Sequence, residues 1–119
     1  SEEWKSHTDI DYYDEEMAIK ILQWIDSLLE RNPEMIEQKV SINLMRMTSL
    51  HYWGGHNEAI NIFEEAIKIV KKAEREDLEL EILENYFTIQ HQRYGGQNFP
   101  DASDFLKRMD VLRENIKKL

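Results

Sequence analysis

The sequence predicts an all-α protein of about five helices, because its apolar residues recur with helical spacing and because the chain repeats itself. A short phrase occurs at residues 53–57 (Trp-Gly-Gly-His-Asn) and again, 41 residues later, at residues 94–98 (Tyr-Gly-Gly-Gln-Asn). A fainter copy falls on residues 12–22. Self-similarity at a period of about 20 to 50 residues is typical of repeat architectures. Since no stretch alternates as a strand would, we expect antiparallel helix pairs joined by short turns.

The first two predicted helices have clear ends. One covers residues 14–31 and stops at Asn32 and Pro33, because the residue before a proline disfavours helical backbone. The next covers residues 34–53, where a glycine pair then supplies the left-handed backbone that ends a helix. The two tryptophans of these helices, Trp24 and Trp53, are expected to pack between units.

Three further helices follow. The third lies between the two phrases, with Asn57 as its N-cap and lysines near its end, as the helix macrodipole favours. Its apolar stripe consists of Ala59, Phe63, Ala66 and Val70. The fourth covers residues 77–94, and its start depends on periodicity and on an Asp77 cap, since the junction contains neither glycine nor proline. The fifth begins at Asp101. Its expected core residues are Ala102, Phe105, Met109 and Leu112.

Length and composition indicate one domain. A chain of 119 residues with 41% hydrophobic content suits a single helical-repeat domain over residues 1–119, in units of about 1–33, 34–75 and 76–119. The chain has no cysteine, which fits a reducing, cytoplasmic compartment. No segment offers the roughly 20 apolar residues of a membrane span, so no membrane partner is expected. The absence of an initiating methionine predicts that the chain is a piece of a longer protein.

The charge distribution bears on partners. The chain has 24 acidic and 15 basic residues, a net charge of −9. Residues 1–40 contain 11 acidic and 4 basic residues, which gives −7 in this third alone. A surface of this sign repels phosphate backbones, so we expect no direct nucleic-acid contact from this segment.

The spacing of small and aromatic residues resembles the tetratricopeptide repeat. Gly54, Ala59, Phe63 and Ala66 follow the family's order, with a glycine between helix A and helix B and two alanines around an aromatic in helix B. The resemblance implies antiparallel helix pairs stacked as a right-handed superhelix. The period of 41 exceeds the usual repeat of about 34 residues. This longer unit is similar to the repeat domains of Gram-positive transcription regulators of the Rgg and PlcR type, where a helix-turn-helix precedes a domain that binds a signalling peptide.

The resemblance also implies where a ligand would bind. In such repeats the A helices line the concave face, and Asn and basic side chains grip a peptide's backbone or carboxylate. Ile82 and Tyr86 fall on that face by register. The candidate peptide-binding residues are Asn43, Met45, Thr48, His51, Tyr52, Asn85, Ile89, Gln92 and Arg93. The alternative is that these are ordinary solvated positions on long helices.

The expected function is therefore non-catalytic binding of a peptide or protein, within which the sensor domain of a transcription regulator is favoured. The alternative is a structural role in which the repeats form a homodimer or brace a larger protein. The four histidines have no i, i+4 pair, so no metal or cofactor is expected. Adjacent carboxylates such as Glu64 and Glu65 point about 100° apart, and no nucleophile motif is present, so no enzyme is expected.

Overall fold

The fold is all-α, as predicted. The computed structural model describes residues 2–119, and the side chains of residues 16, 17 and 19–119. Among these residues there is no strand, and five helices follow one another along the chain. They are α1 (Glu2–Arg31), α2 (Ile36–Tyr52), α3 (His56–Lys72), α4 (Glu76–Arg93) and α5 (Ala102–Lys117). The right-handed superhelix stays a prediction.

The chain divides into two compact units, Ser1–Ile36 and Glu37–Leu119, and the prediction of one domain with three repeat units is not tested by this division. In the first unit, the end of α1 is fixed by the side chain of Asn32, whose Nδ2 donates to the carbonyl of Leu28 at 2.7 Å. The fainter copy of the repeat depends on Tyr12 and Ala18, whose side chains lie outside the described residues.

The glycine pairs end helices as predicted. After α2, the backbone N–H of Gly55 donates to the carbonyl of Leu50 at 2.8 Å, and Gly54 has a φ of +83°. After α4, the N–H of Gly96 donates to His91 at 2.8 Å, and Gly95 has a φ of +66°. A bond that spans five residues around a left-handed position is the Schellman motif.

The same motif ends α3 without a glycine. The N–H of Arg75 donates to the carbonyl of Val70 at 3.0 Å, and the left-handed position is occupied by Glu74, with a φ of +56°. This is the junction that contains neither glycine nor proline, and glutamate rarely adopts this conformation, so the sequence did not predict a left-handed residue here. The α2–α3 and α3–α4 turns are therefore built alike.

Two predicted N-caps are wrong. The N-cap of α3 is Gly55 and that of α4 is Arg75, and neither makes a side-chain capping bond. Asn57 and Asp77 lie in the first turns of these helices, because the Schellman turn places its last residue directly at the start of the next helix. Asp101 is the N-cap of α5, but its side chain makes no capping bond.

The core of the second unit lies among α3, α4 and α5. All four residues of the α3 stripe are buried, and small Ala59 and Ala66 permit close helix packing. Phe63 of α3 stacks on Tyr86 of α4 with 3.8 Å between ring centroids. Of the α5 set, Ala102, Met109 and Leu112 are buried and Phe105 is half-buried.

Exposure corrects the expectation for the tryptophans. Trp53 is 87% exposed, and Trp24 is also exposed. Trp53 is the first residue of the tight turn after α2, and a turn of this length holds its leading side chain outside the helix pair.

No helix of the described residues is long and apolar enough to cross a membrane.

Candidate functional site

A charged network joins the first turn of α2 to the start of α4. Nη2 of Arg75 donates to Oε1 of Glu37 at 2.8 Å and to Oδ2 of Asp77 at 2.9 Å. Nε of Arg75 donates to Oδ1 of Asp77 at 3.0 Å. The hydrogen bonds from Arg75 lower the pKa of Asp77 and raise that of Arg75. Both helices begin at this network, and residues near the C-terminal ends of both line one cavity, so the two helices run in the same general direction.

A cavity of about 340 Å³ lies between the C-terminal halves of the same two helices. Three of its lining residues come from the last two turns of α2, and five come from one face of α4. The lining residues are Thr48, His51, Tyr52, Glu84, Asn85, Thr88, Ile89 and Gln92. The five lining residues of α4 form two rows, one at positions 84, 88 and 92 and one at positions 85 and 89. Spacing of four residues keeps each row on one side of the helix.

Six of the nine predicted site residues line this cavity. They are Thr48, His51, Tyr52, Asn85, Ile89 and Gln92. Whether they bind a ligand stays a prediction.

The other three lie elsewhere. Asn43 is half-buried and Met45 is 69% exposed, and both precede Thr48, the first lining residue of α2. The guanidinium of Arg93 lies over the ring of Tyr94, 5.8 Å from its centroid. Ile82 and Tyr86, which the register placed on the ligand face, are buried in the core because α3 and α5 cover that side of α4.

Sequence reasoning missed Glu84 and Thr88. Thr88 lies one helical turn before Gln92, and Glu84 lies one turn before Thr88. Counting back along the helix in steps of four residues from Gln92 therefore reaches both. They were overlooked because a glutamate and a threonine on an exposed helix are ordinary solvated residues.

Three of the polar lining residues are bonded within their own helices. The hydroxyl of Thr48 donates to the carbonyl of Leu44, and that of Thr88 donates to the carbonyl of Glu84, both at 3.0 Å. Nδ2 of Asn85 donates to the carbonyl of Glu81 at 2.9 Å. Each hydroxyl has a single hydrogen, which these bonds use. The oxygen atoms of the three side chains can therefore still accept hydrogen bonds from a ligand, and Asn85 has one amide hydrogen left to donate.

His51 carries a buried polar atom at this site. Its Nδ1 has no hydrogen-bond partner among the described residues. The ring lies 5.5 Å from Tyr52 and 5.6 Å from His56, between centroids. Burial lowers the pKa of His56, and the charges of Arg93 and His51 lower it further. Buried polar atoms are nearly always bonded, so this nitrogen is an exception, and its burial closes it to a ligand in the open cavity.

Among the described residues, no group of three or more His, Asp or Glu side chains is close enough to hold a metal ion. No protein-family model, curated protein or solved structure matches this chain. The chain is thus an all-α protein with a cavity between two parallel helices, and its tetratricopeptide-like identity stays a prediction.

Proposed function

We propose that this chain is a non-catalytic docking module and that an extended peptide binds between α2 and α4. The single observation that carries the proposal is the cavity, which brings together side chains 37 to 41 residues apart in the chain, such as Thr48 with Asn85 and His51 with Gln92. Amide side chains can pair with a peptide backbone, and Tyr52 and Ile89 offer apolar contact to its side chains.

The dimensions suit such a ligand. Each of the two helices has 17 or 18 residues, which corresponds to about 26 Å at 1.5 Å per residue. An extended peptide of about eight residues spans the same length at about 3.3 Å per residue. The cavity volume lies at the lower end of the range for ligand pockets, about 300 to 1,000 Å³, so it would hold one or two side chains of that peptide.

Selection from a random peptide library, followed by calorimetry, tests this proposal. The double variant Asn85→Ala with Gln92→Ala should weaken a selected peptide about tenfold, which is about 1.4 kcal/mol. Asn61→Ala is a matched control, because Asn61 is exposed on α3 and does not line the cavity. Equal affinity of the double variant and the native chain would contradict the proposal.

A structural role is the second candidate, and one observation favours it. Met17, Ile21 and Trp24 are exposed and follow one another at intervals of four and three residues, so they form an apolar stripe along α1. A stripe of this kind suits association with the same helix of a second copy. Sedimentation at rising concentration tests it: a dimer that Met17→Glu with Ile21→Glu dissociates would support this role, and a monomer at every concentration would refute it.

Within the docking class, the sensor domain of a transcription regulator remains the narrower proposal. Its support is the 41-residue period and the resemblance described above. The sequence of the complete gene tests it, since a helix-turn-helix must precede this segment in such a regulator.

A further inference from the structure

We propose that the group of the peptide that enters this cavity is a cationic hydrogen-bond donor, an ammonium or a guanidinium. This inference deepens the proposed function and depends on it. It also reverses the expectation, drawn from the resemblance, that basic side chains of this chain hold a carboxylate.

The first step concerns hydrogen bonding. Thr48 and Thr88 donate their only hydroxyl hydrogens to carbonyls of their own helices, and Asn85 donates one of its two amide hydrogens likewise. Their oxygens remain as acceptors. A ligand with several N–H groups can donate to these three oxygens and to Glu84, whereas a carboxylate could accept only from Tyr52, Gln92 and the second amide hydrogen of Asn85.

The second step concerns charge. Among the described residues that line the cavity, none is a lysine or an arginine, and Glu84 carries a full negative charge. Its Oε1 lies 3.4 Å from Nη2 of Arg113, which is longer than the 2.7 to 2.9 Å of a strong charge-assisted bond. Arg113 also contacts Asp110 at 3.3 Å, so its charge is shared. Glu84 therefore retains most of its capacity to bind a cation.

The third step concerns the helix ends. His51 and Tyr52 lie in the last turn of α2, and Gln92 lies in the last turn of α4. Both C-terminal ends carry partial negative charge, which favours a nearby cation. Arg113, Arg93 and His56 are basic groups near the cavity that do not line it; Arg113 is shared between Glu84 and Asp110, and Arg93 is directed onto Tyr94.

Four short peptides test this inference and separate the two sources of the cation. Three are acetylated and amidated, with the sequence Gly-Ala-X-Ala-Gly in which X is Lys, Gln or Glu. The fourth has a free amino terminus and alanine at X, so its only cation is the terminal ammonium. Amide chemical shifts of the ¹⁵N-labelled chain report where and how tightly each peptide binds.

We expect the amide signals of residues 48–52 and 84–92 to shift when a peptide binds. Either the Lys peptide or the free-amine peptide should bind about fivefold tighter than the Gln peptide, and the Glu peptide should bind most weakly. The tighter of the two identifies the source as a basic side chain or a peptide terminus. Glu84→Gln should reduce this preference to less than about twofold. Glu81→Gln is the matched control, since Glu81 is exposed one turn away and does not line the cavity.

The outcomes distinguish the two proposals. If the Glu or Gln peptide binds at these residues as tightly as the cationic peptides, the inference is overturned while the docking function stands. If the preference survives Glu84→Gln, the inference is likewise overturned. If no peptide shifts any of these amides, the docking function is overturned with it.

Discussion

The guanidinium of Arg75 donates a 2.8 Å hydrogen bond to the carboxylate of Glu37, which lies 38 residues earlier in the chain. Arg75 is the last residue of the Schellman turn after α3 and the N-cap of α4, while Glu37 is in the first turn of α2. One side chain therefore connects a turn to both helices that border the cavity. The contact fixes the two helices at the end opposite to the cavity.

A double-mutant cycle should measure this connection. Arg75→Gln should lower the free energy of unfolding slightly, and the loss should be smaller when Glu37 has already been replaced by Gln, since both groups are partly exposed. Urea unfolding at neutral pH gives both values, and the coupling should decrease at high salt. A coupling of zero would mean that the contact does not hold the helices together.

The ion pair between α4 and α5 should contribute more. Oε2 and Oε1 of Glu79 accept bonds from Nε and Nη2 of Arg108 at 2.8 and 2.9 Å, and the Glu79 side chain is only 4% exposed. Arg108→Ala leaves this carboxylate buried and unpaired. We expect the free energy of unfolding to decrease by about 2 kcal/mol. This is less than breaking a fully buried pair would cost, because Arg108 is 43% exposed.

The matched control for this pair is Arg113→Ala, which removes a longer contact to the exposed Glu84. It should change the free energy of unfolding by less than about 0.5 kcal/mol. Adding Glu79→Gln to Arg108→Ala should recover part of the loss, because a neutral amide is less costly to bury than a charge. If Arg108→Ala and Arg113→Ala lowered the free energy of unfolding equally, the Glu79–Arg108 pair would not be the stronger of the two contacts.

The three Schellman turns allow a paired test of backbone strain. Glu74 adopts a φ of +56°, so Glu74→Gly relieves backbone strain in the folded chain. Glycine also makes the unfolded chain more flexible, which offsets part of this gain, and the net stabilisation should be about 0.5 kcal/mol. Gly54 adopts a φ of +83°, and a Cβ there would contact nothing within 4 Å, so Gly54→Ala should cost about 1 kcal/mol through strain alone. Thermal unfolding measures both changes, and the same sign for both would refute this account.

His56 should make stability depend on pH. Its pKa is lowered from the ordinary value of 6.5, first by burial and then by the charges of Arg93 and His51. The unfolded chain therefore binds the proton at a higher pH than the folded chain. Stability from this group is complete above about pH 6.5 and decreases as the pH falls from there through the folded pKa.

An NMR titration of the His56 ring tests that dependence. Arg93→Gln should raise the pKa of His56 toward 6.5 and reduce the fall in melting temperature between about pH 7.5 and about pH 5.5. An unchanged His56 pKa in this variant would show that Arg93 does not act on it.

The residues of the cavity show how far sequence reasoning reaches. Thr48, His51, Asn85 and Gln92 could be placed on one side of α2 and α4 because helical periodicity is fixed by the backbone. Arg93 could not be excluded, since its direction depends on the ring of Tyr94.

The sequence by itself determined the helices and most of their ends. Apolar spacing specified the buried stripe Ala59, Phe63, Ala66 and Val70, and Gly54 and Gly95 specified two turns, since helical period and positive φ are properties of a few neighbouring residues. Tertiary structure alone decided that Glu74 takes the same left-handed position and that Arg75 contacts Glu37. It also decided that the cavity contains a carboxylate and no arginine among its described lining residues. These features depend on packing between segments distant in the chain, which local preferences do not encode.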